Sequence, residues 1–400
     1  MHRGHKLRGP GFRGHGAKRR TTWLAGLAVT AALAVAGCSS ASSQAPASQA
    51  AGSSTSGSAN AAAMGNPNLD LGSSLNDKSA PGFTLTNQFG QPVSLSQFRG
   101  RVVMLSFEDA ECTDVCPLTT QSMVLAKELL GQAGSSVQLL GVDANPTANK
   151  VSDVMAYSRA HAMVNEWNFL TGSDAQLKQV WKDYDVAVQI SDGDIDHTPA
   201  LYVINQQGRL QKVYLTQMAY SSVTQSAQVL AEEVSSLLPG HPKLSSLESL
   251  ATVPVQAPTT TVSLPAATID GRTAPAVTLG PGQARLVVFF ATWLTEVSDL
   301  KSEMTSLNSY ARYAAAKHLP ALTTVDETVT EPSKQAVTSF LGPLGPLDYP
   351  VALDEDGRLA DGYGVQDQPW LVLVNKAGKI TWQHDGWVSL SALEKAAAAA

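Results

Sequence analysis

The stretch Val102-Val-Met-Leu-Ser-Phe-Glu-Asp-Ala-Glu-Cys-Thr-Asp-Val-Cys-Pro117 decides the fold. It opens on an unbroken apolar run, residues 102–107, with the length and composition of a strand covered on both faces. Residues 137–142 and 200–204 are two more runs of this kind. Apolar residues recur at helical spacing over 118–130, 151–162, 175–182 and 221–238. Asn205-Gln-Gln-Gly208 reads as a hairpin turn joining 201–204 to 210–214. Strands and helices alternating in this way predict an α/β sandwich over residues 80–239.

A second unit of the same kind follows. Residues 286–290 read as its first core strand and 302–316 as a helix. Residues 371–374 read as a strand, Asn375-Lys-Ala-Gly378 as a turn, 379–382 as a strand and 389–400 as a closing helix. The order of parts repeats, which predicts a duplicated α/β fold over 263–400, joined to the first by a Pro/Thr/Ser-rich linker at 240–262.

The start of the chain carries an address. Arg3, Lys6, Arg8, Arg13, Lys18, Arg19 and Arg20 precede any acid, as in the basic opening of a signal peptide. The apolar segment 23–37 that follows is short for a membrane span, which needs roughly 20 residues. It ends in Val35-Ala-Gly-Cys38, which resembles the bacterial lipobox, and that resemblance implies cleavage before Cys38 and acylation of its sulfur. The expectation is a signal peptide over 1–37 and an extracytoplasmic lipoprotein anchored to the bacterial cell membrane. Arg19-Arg20 leaves the choice between general and twin-arginine export open. Residues 38–79 are Ser, Ala, Gly and Gln in low complexity, too poor in apolar side chains to fold, and are expected to be a disordered tether. The net charge of −6 argues against general nucleic-acid binding.

With Cys38 set aside, two thiols remain, Cys112 and Cys116. They stand four apart, so a helix beginning near Cys112 would place both on one face. The dipole and unpaired N–H groups of that helix start would bias them towards thiolate, the form that binds metal and the form that attacks disulfides. His197, in Asp194-Ile-Asp-His-Thr-Pro199, adds an imidazole before the strand at 200–204. Two soft sulfurs and one nitrogen suit copper, and zinc accepts the same set plus water. Glu108, Asp109, Glu111 and Asp114 crowd the sulfurs, which would hold a cation nearby and oppose thiolate without one. His197 lies 85 positions beyond Cys112, and closing such a loop costs roughly 4 kcal/mol, so the site requires the folded domain.

Together these motifs resemble the Sco/SenC family of copper chaperones for cytochrome c oxidase assembly, over residues 82–214. Phe83-Thr-Leu-Thr-Asn-Gln-Phe-Gly-Gln-Pro-Val-Ser-Leu95 is similar to the family's opening hairpin. Phe98-Arg-Gly-Arg-Val-Val-Met-Leu-Ser-Phe107 resembles its core strand, and Cys112-Thr-Asp-Val-Cys-Pro117 its metal motif. Gly141-Val-Asp-Ala-Asn-Pro146, Trp167-Asn-Phe-Leu-Thr-Gly172 and Asp196-His-Thr198 follow in family order. The resemblance implies a thioredoxin-like fold and a copper ion held by Cys112, Cys116 and His197. It implies Asp196 as the group orienting the imidazole, and delivery of copper to the dinuclear site of an oxidase subunit, or reduction of that subunit's cysteines with help from a thiol reductant. Glu108-Asp-Ala-Glu111 and Thr113 depart from the family pattern before and between the cysteines, which touches the partner surface and the redox potential. Pro199 stands where thioredoxins place a cis-proline.

The second unit resembles membrane-anchored thioredoxins of the TlpA type. Phe289-Phe-Ala-Thr-Trp-Leu-Thr-Glu-Val297 fits the active-site strand and turn, with Leu294 and Val297 at the two cysteine positions, and Pro369 fits the cis-proline position. This unit therefore has no thiol chemistry and reads as a structural or docking domain. His318 and His384 have no partner pattern and receive no role. Three functions remain: a copper chaperone, a thiol–disulfide oxidoreductase using Cys112 and Cys116, and a non-catalytic binding protein with a static disulfide.

Overall fold

A computed structural model of the chain describes residues 69–191, 194–245, 258, 260–269, 272–296 and 298–399. The expected signal peptide, Cys38, the tether up to residue 68 and Val297 lie outside the described residues. Among the described residues no helix is long and apolar enough to cross a membrane.

The first half runs β1 (Ser73–Ser79), β2 (Thr84–Asn87), β3 (Pro92–Ser94), β4 (Val102–Glu108), α1 (Val115–Leu129), β5 (Val137–Asp143), α2 (Val151–Ala160), β6 (Trp167–Thr171), α3 (Asp174–Asp183), β7 (Val188–Ser191), β8 (Asp194–His197), β9 (Ala200–Ile204), β10 (Arg209–Leu215) and α4 (Val223–Leu237). Eight strands form one sheet in the order β1-β10-β9-β4-β5-β6-β2-β3. β4 lies at its centre, parallel to β5 and antiparallel to β9. Side chains alternate between faces. Val102 and Met104 pack with Met123 and Ala126 of α1 and Leu230 of α4. Val103, Leu105 and Phe107 pack with Leu177, Val180 and Trp181 on the opposite side. Both faces are covered, so every residue of β4 is buried, and each large apolar side chain there contributes about 1.5–3 kcal/mol.

Three differences from the sequence reading have physical causes. The tether expected to run to residue 79 stops earlier, because β1 pairs with β10 from Ser73↔Val213 to Ser79↔Arg209. Its side chains are almost all exposed, so backbone pairing holds it and no apolar pattern announces it. The helix expected from 221 begins at Val223, after a tight turn over Tyr220–Ser222. The helix expected over 151–162 ends at Ala160, where Ala162 takes a left-handed φ of 55°.

The second half runs β11 (Val262–Leu264), β12 (Thr268–Ile269), β13 (Arg272–Thr273), β14 (Val277–Leu279), β15 (Arg285–Phe290), α5 (Leu300–Lys317), β16 (Ala321–Asp326), α6 (Lys334–Leu341), β17 (Val351–Leu353), α7 (Arg358–Tyr363), β18 (Trp370–Val374), β19 (Ile380–Asp385) and α8 (Leu390–Ala399). Its five-stranded sheet has the order β17-β16-β15-β18-β19, which repeats β6-β5-β4-β9-β10 of the first. The parallel and antiparallel pairs fall in the same places. Among the described residues the cis peptide is Gln368–Pro369, and the bond before Pro199 is trans.

Candidate metal centre

The site grows out of the carboxyl end of β4. Past Glu108 the chain turns: Asp109 Oδ1 accepts the backbone N–H of Glu111 at 2.8 Å, and Cys112 N donates to Asp109 O at 3.1 Å. Asn145, just after β5, donates to the same Oδ1 at 2.6 Å. Asp114 then caps α1, accepting from Val115 N at 2.6 Å. Pro117 falls in the first helical turn, where its missing N–H costs nothing.

Cys112 therefore precedes the helix and only Cys116 lies in it, which corrects the expectation of two thiols on one helical face. The loop closes another way: Cys116 N donates to Cys112 Sγ at 3.3 Å. The Cys112 thiol donates in turn to Asp114 Oδ1 at 2.8 Å.

His197 ends β8, whose hairpin with β7 returns the chain to the sheet rim. Its Nε2 stands 3.7 Å from Cys116 Sγ. Its Nδ1 stands 3.1 Å from Thr198 O. A carbonyl only accepts, so Nδ1 holds the proton and the Nε2 lone pair faces the sulfur. The group orienting the ring is thus the Thr198 carbonyl rather than Asp196, which acts on the imidazole only through its charge. Asp196 faces away along the hairpin for a simple reason: neighbouring residues of a strand point to opposite sides.

Burial overrides the helix start. Desolvation pushes the Cys112 thiol up to about 12, and the Asp114 and Asp109 charges add to the rise while the Cys116 side chain opposes it. Cys116 is raised well above the ordinary thiol range, first by desolvation and then by Cys112, Glu108 and Asp114. The expected bias to thiolate is therefore absent: both sulfurs are thiols at neutral pH. Desolvation lowers the His197 pKa, against the Thr198 carbonyl and the charges of Asp109, Asp114 and Asp196. A neutral imidazole is the ligand form.

Glu108 is the residue whose role the sequence reading undervalued. Period-two alternation from Val102 sends it to the face carrying α1, beneath Cys116. It is fully buried, and neither carboxyl oxygen reaches hydrogen-bond geometry. Desolvation pushes it up to about 8, against the favourable Ser106 hydroxyl and Cys116 thiol beside it. The alternation itself was the signal that could have found it.

The donors fit a soft cation. An ion about 2.3 Å from a sulfur and about 2.0 Å from a nitrogen, at angles near tetrahedral, separates the two by about 3.5 Å. Cys116 and His197 stand at 3.7 Å. Among the described residues no three His, Cys, Asp or Glu side chains already converge on one point. Two of the candidate donors thus stand at ligand spacing, while the third, Cys112, donates its thiol hydrogen to Asp114.

An α/β domain of thioredoxin-like fold with two thiols and an imidazole on its sheet rim is the class this half defines. Residues 72–232 match the model of the SCO1/SenC family, so the first half carries a SCO1/SenC domain. The match takes in β1 and most of α4, and so reaches beyond the motifs at 82–214. The chain is 25% identical over 137 residues to the SCO1 protein homolog of Bacillus subtilis (strain 168), covering 33% of this chain and 71% of that protein. It is 26% identical over 155 residues to the mitochondrial SCO2 homolog of Bos taurus, covering 36% of this chain and 57% of that one. The chain thus spans little more than half of the bovine protein's length. A copper-bound structure of ScoI from Bradyrhizobium japonicum is similar at 21% identity with a TM-score of 0.35, over 40% of this chain and 99% of that one.

Proposed function

We propose that the protein is a membrane-tethered, extracytoplasmic copper chaperone that carries copper to the dinuclear copper site of a cytochrome c oxidase subunit. The observation that carries this reading is the separation of 3.7 Å between Cys116 Sγ and His197 Nε2, with the imidazole lone pair turned to the sulfur. Cys112, Cys116 and His197 are the ligands, and copper is their cargo. Capture requires Cys112 to leave Asp114 and both thiols to lose their protons. A bound cation supplies the electrostatic reason for that loss, since its charge stabilises thiolates that the buried acids otherwise oppose. The tether ends at acylated Cys38. The second half is a thioredoxin-like unit without thiols, supported by the repeated sheet order and by Leu294 at a cysteine position.

A second reading, thiol–disulfide exchange with an oxidase subunit or another exported protein, keeps one observation in its favour. The two sulfurs are neighbours joined through the Cys116 N–H. Against fast exchange stands the burial that holds both sulfurs as thiols.

Competition titration of the reduced full chain with copper(I) tests the first reading. His197→Ala should weaken binding by about 100-fold or more, because it removes a ligand rather than a ligand's support. Unchanged affinity would end the three-donor site. Trapped mixed disulfides with no copper uptake would favour exchange.

A further inference from the structure

The second half is packed against the helix that bears Cys116. Leu118, two residues after that cysteine, is buried in one apolar cluster with Tyr220 and Val223 of the first half and Val287, Phe289 and Val329 of the second. The turn before α4 is gripped from the second half. The Asp361 carboxylate on α7 accepts the N–H of Tyr220 at 2.8 Å, the N–H of Ser221 at 3.1 Å, and the Ser221 hydroxyl. These N–H groups belong to a helix start, where an acceptor anion is favourable. Gly357 lies against the same turn, and a Cβ there would stand 2.5 Å from the Tyr220 carbonyl carbon. Gln368 reaches the Tyr220 hydroxyl at 3.5 Å. The neighbouring Asp367 sits beside the Thr113 side chain, inside the loop between the two cysteines.

We propose that the second half is an internal clamp on the thiol loop. Asp361 and Gly357 hold residues 219–222, and Asp367 and the cluster around Leu118 restrain the loop and first helical turn that carry Cys112 and Cys116. Access to the thiols requires Cys112 to leave Asp114, a movement of the segment that Thr113 and Leu118 pin at either side. Docking of the second half and opening of the loop are therefore linked equilibria, and loss of one favours the other. Asp361 and Asp367 are positioning residues: they touch neither thiol and act through the segments they hold. This explains how a unit whose own cysteine positions include Leu294 still bears on thiol chemistry.

The test needs no metal, so it stands or falls apart from the copper reading. The reduced full chain, with Cys38→Ser to leave two thiols, is pulsed with iodoacetamide under native conditions and alkylation is read at each cysteine by mass spectrometry. Asp361→Ala should speed alkylation of Cys112 by about tenfold, the factor that a modest coupling between two equilibria yields. Thr113→Val, which replaces the hydroxyl with a methyl of like shape, should speed it about threefold or more, and Thr113→Ser should return it to the parent rate. Near-UV circular dichroism checks that each variant is folded; if Asp361→Ala is not, Thr113→Val with its Thr113→Ser rescue decides alone. Parent rates in the folded variants would overturn the clamp, as would equal acceleration by Thr113→Ser and Thr113→Val.

Discussion

The Cys112 thiol spends its hydrogen bond on Asp114, and Asp114 spends a second one capping α1. One carboxylate thus ties the parked sulfur to the start of the helix that carries the other. Asp114→Ala should cost about 1 kcal/mol in urea unfolding, the ordinary loss for an N-cap, and should free Cys112 from its present rotamer. An unchanged unfolding midpoint would mean that the cap contributes nothing. Asp109 is held more firmly, by Asn145 as well as by the Glu111 N–H. The candidate donors at 112, 116 and 197 can be picked out in the sequence because soft sulfur and imidazole announce themselves by residue type. The Thr198 carbonyl that orients the ring is not, since a backbone acceptor has no residue-type signature.

At the scale of elements, β16 and β17 deliver a group of acids into the interior of the second half. Asp326 ends β16 and Asp354 follows β17, both fully buried. Ala360 N donates to Asp354 Oδ2 at 2.9 Å, while Oδ1 has no partner. Desolvation pushes Asp354 up to about 7, the Ala360 N–H opposing and Asp356 and Asp361 adding to the rise. The folded pKa is above the unfolded value, so this residue's cost is absent below about pH 4. It grows as pH rises, and it is complete above about 7. Asp354→Asn should remove a loss of roughly 2–4 kcal/mol between those limits, measured as unfolding free energy against pH. A parent and variant that run parallel across that window would show that Asp354 is ionised when folded. The strands themselves were readable wherever both faces are covered, as in β4, β5 and β9. β1 was not, because its partner β10 supplies hydrogen bonds that leave no apolar trace in Ser73–Ser79.

Across the whole described molecule the two sheets share one cluster and one acid-held turn. Leu118→Ala should destabilise by about 2–5 kcal/mol, as large-to-small changes in a buried cluster do. Calorimetry should show one cooperative transition in the parent and two in Asp361→Ala, because the coupling between halves is weakened. A second contact sets an acid limit. His161, at the end of α2, lies with its ring centroid 5.2 Å from that of Trp293 in the second half. Desolvation lowers its pKa to about 3. Here the unfolded chain takes the proton first, so stability is full above pH 6.5 and is lost as pH falls towards 3. His161→Phe should flatten that limb, and an unaltered acid midpoint would remove His161 from the account.

The sequence by itself determined the alternation of strands and helices, the three candidate donors and the resemblance of residues 82–214. These are properties of local period and residue type, which each segment carries wherever it is placed. Only the tertiary structure decided that Cys116 and His197 meet, that both thiols keep their protons, that Glu108 is neutral beneath them, and that the second half reaches the loop between the cysteines. Each of these depends on distance and desolvation between groups remote along the chain, and such quantities do not exist until the sheets have packed.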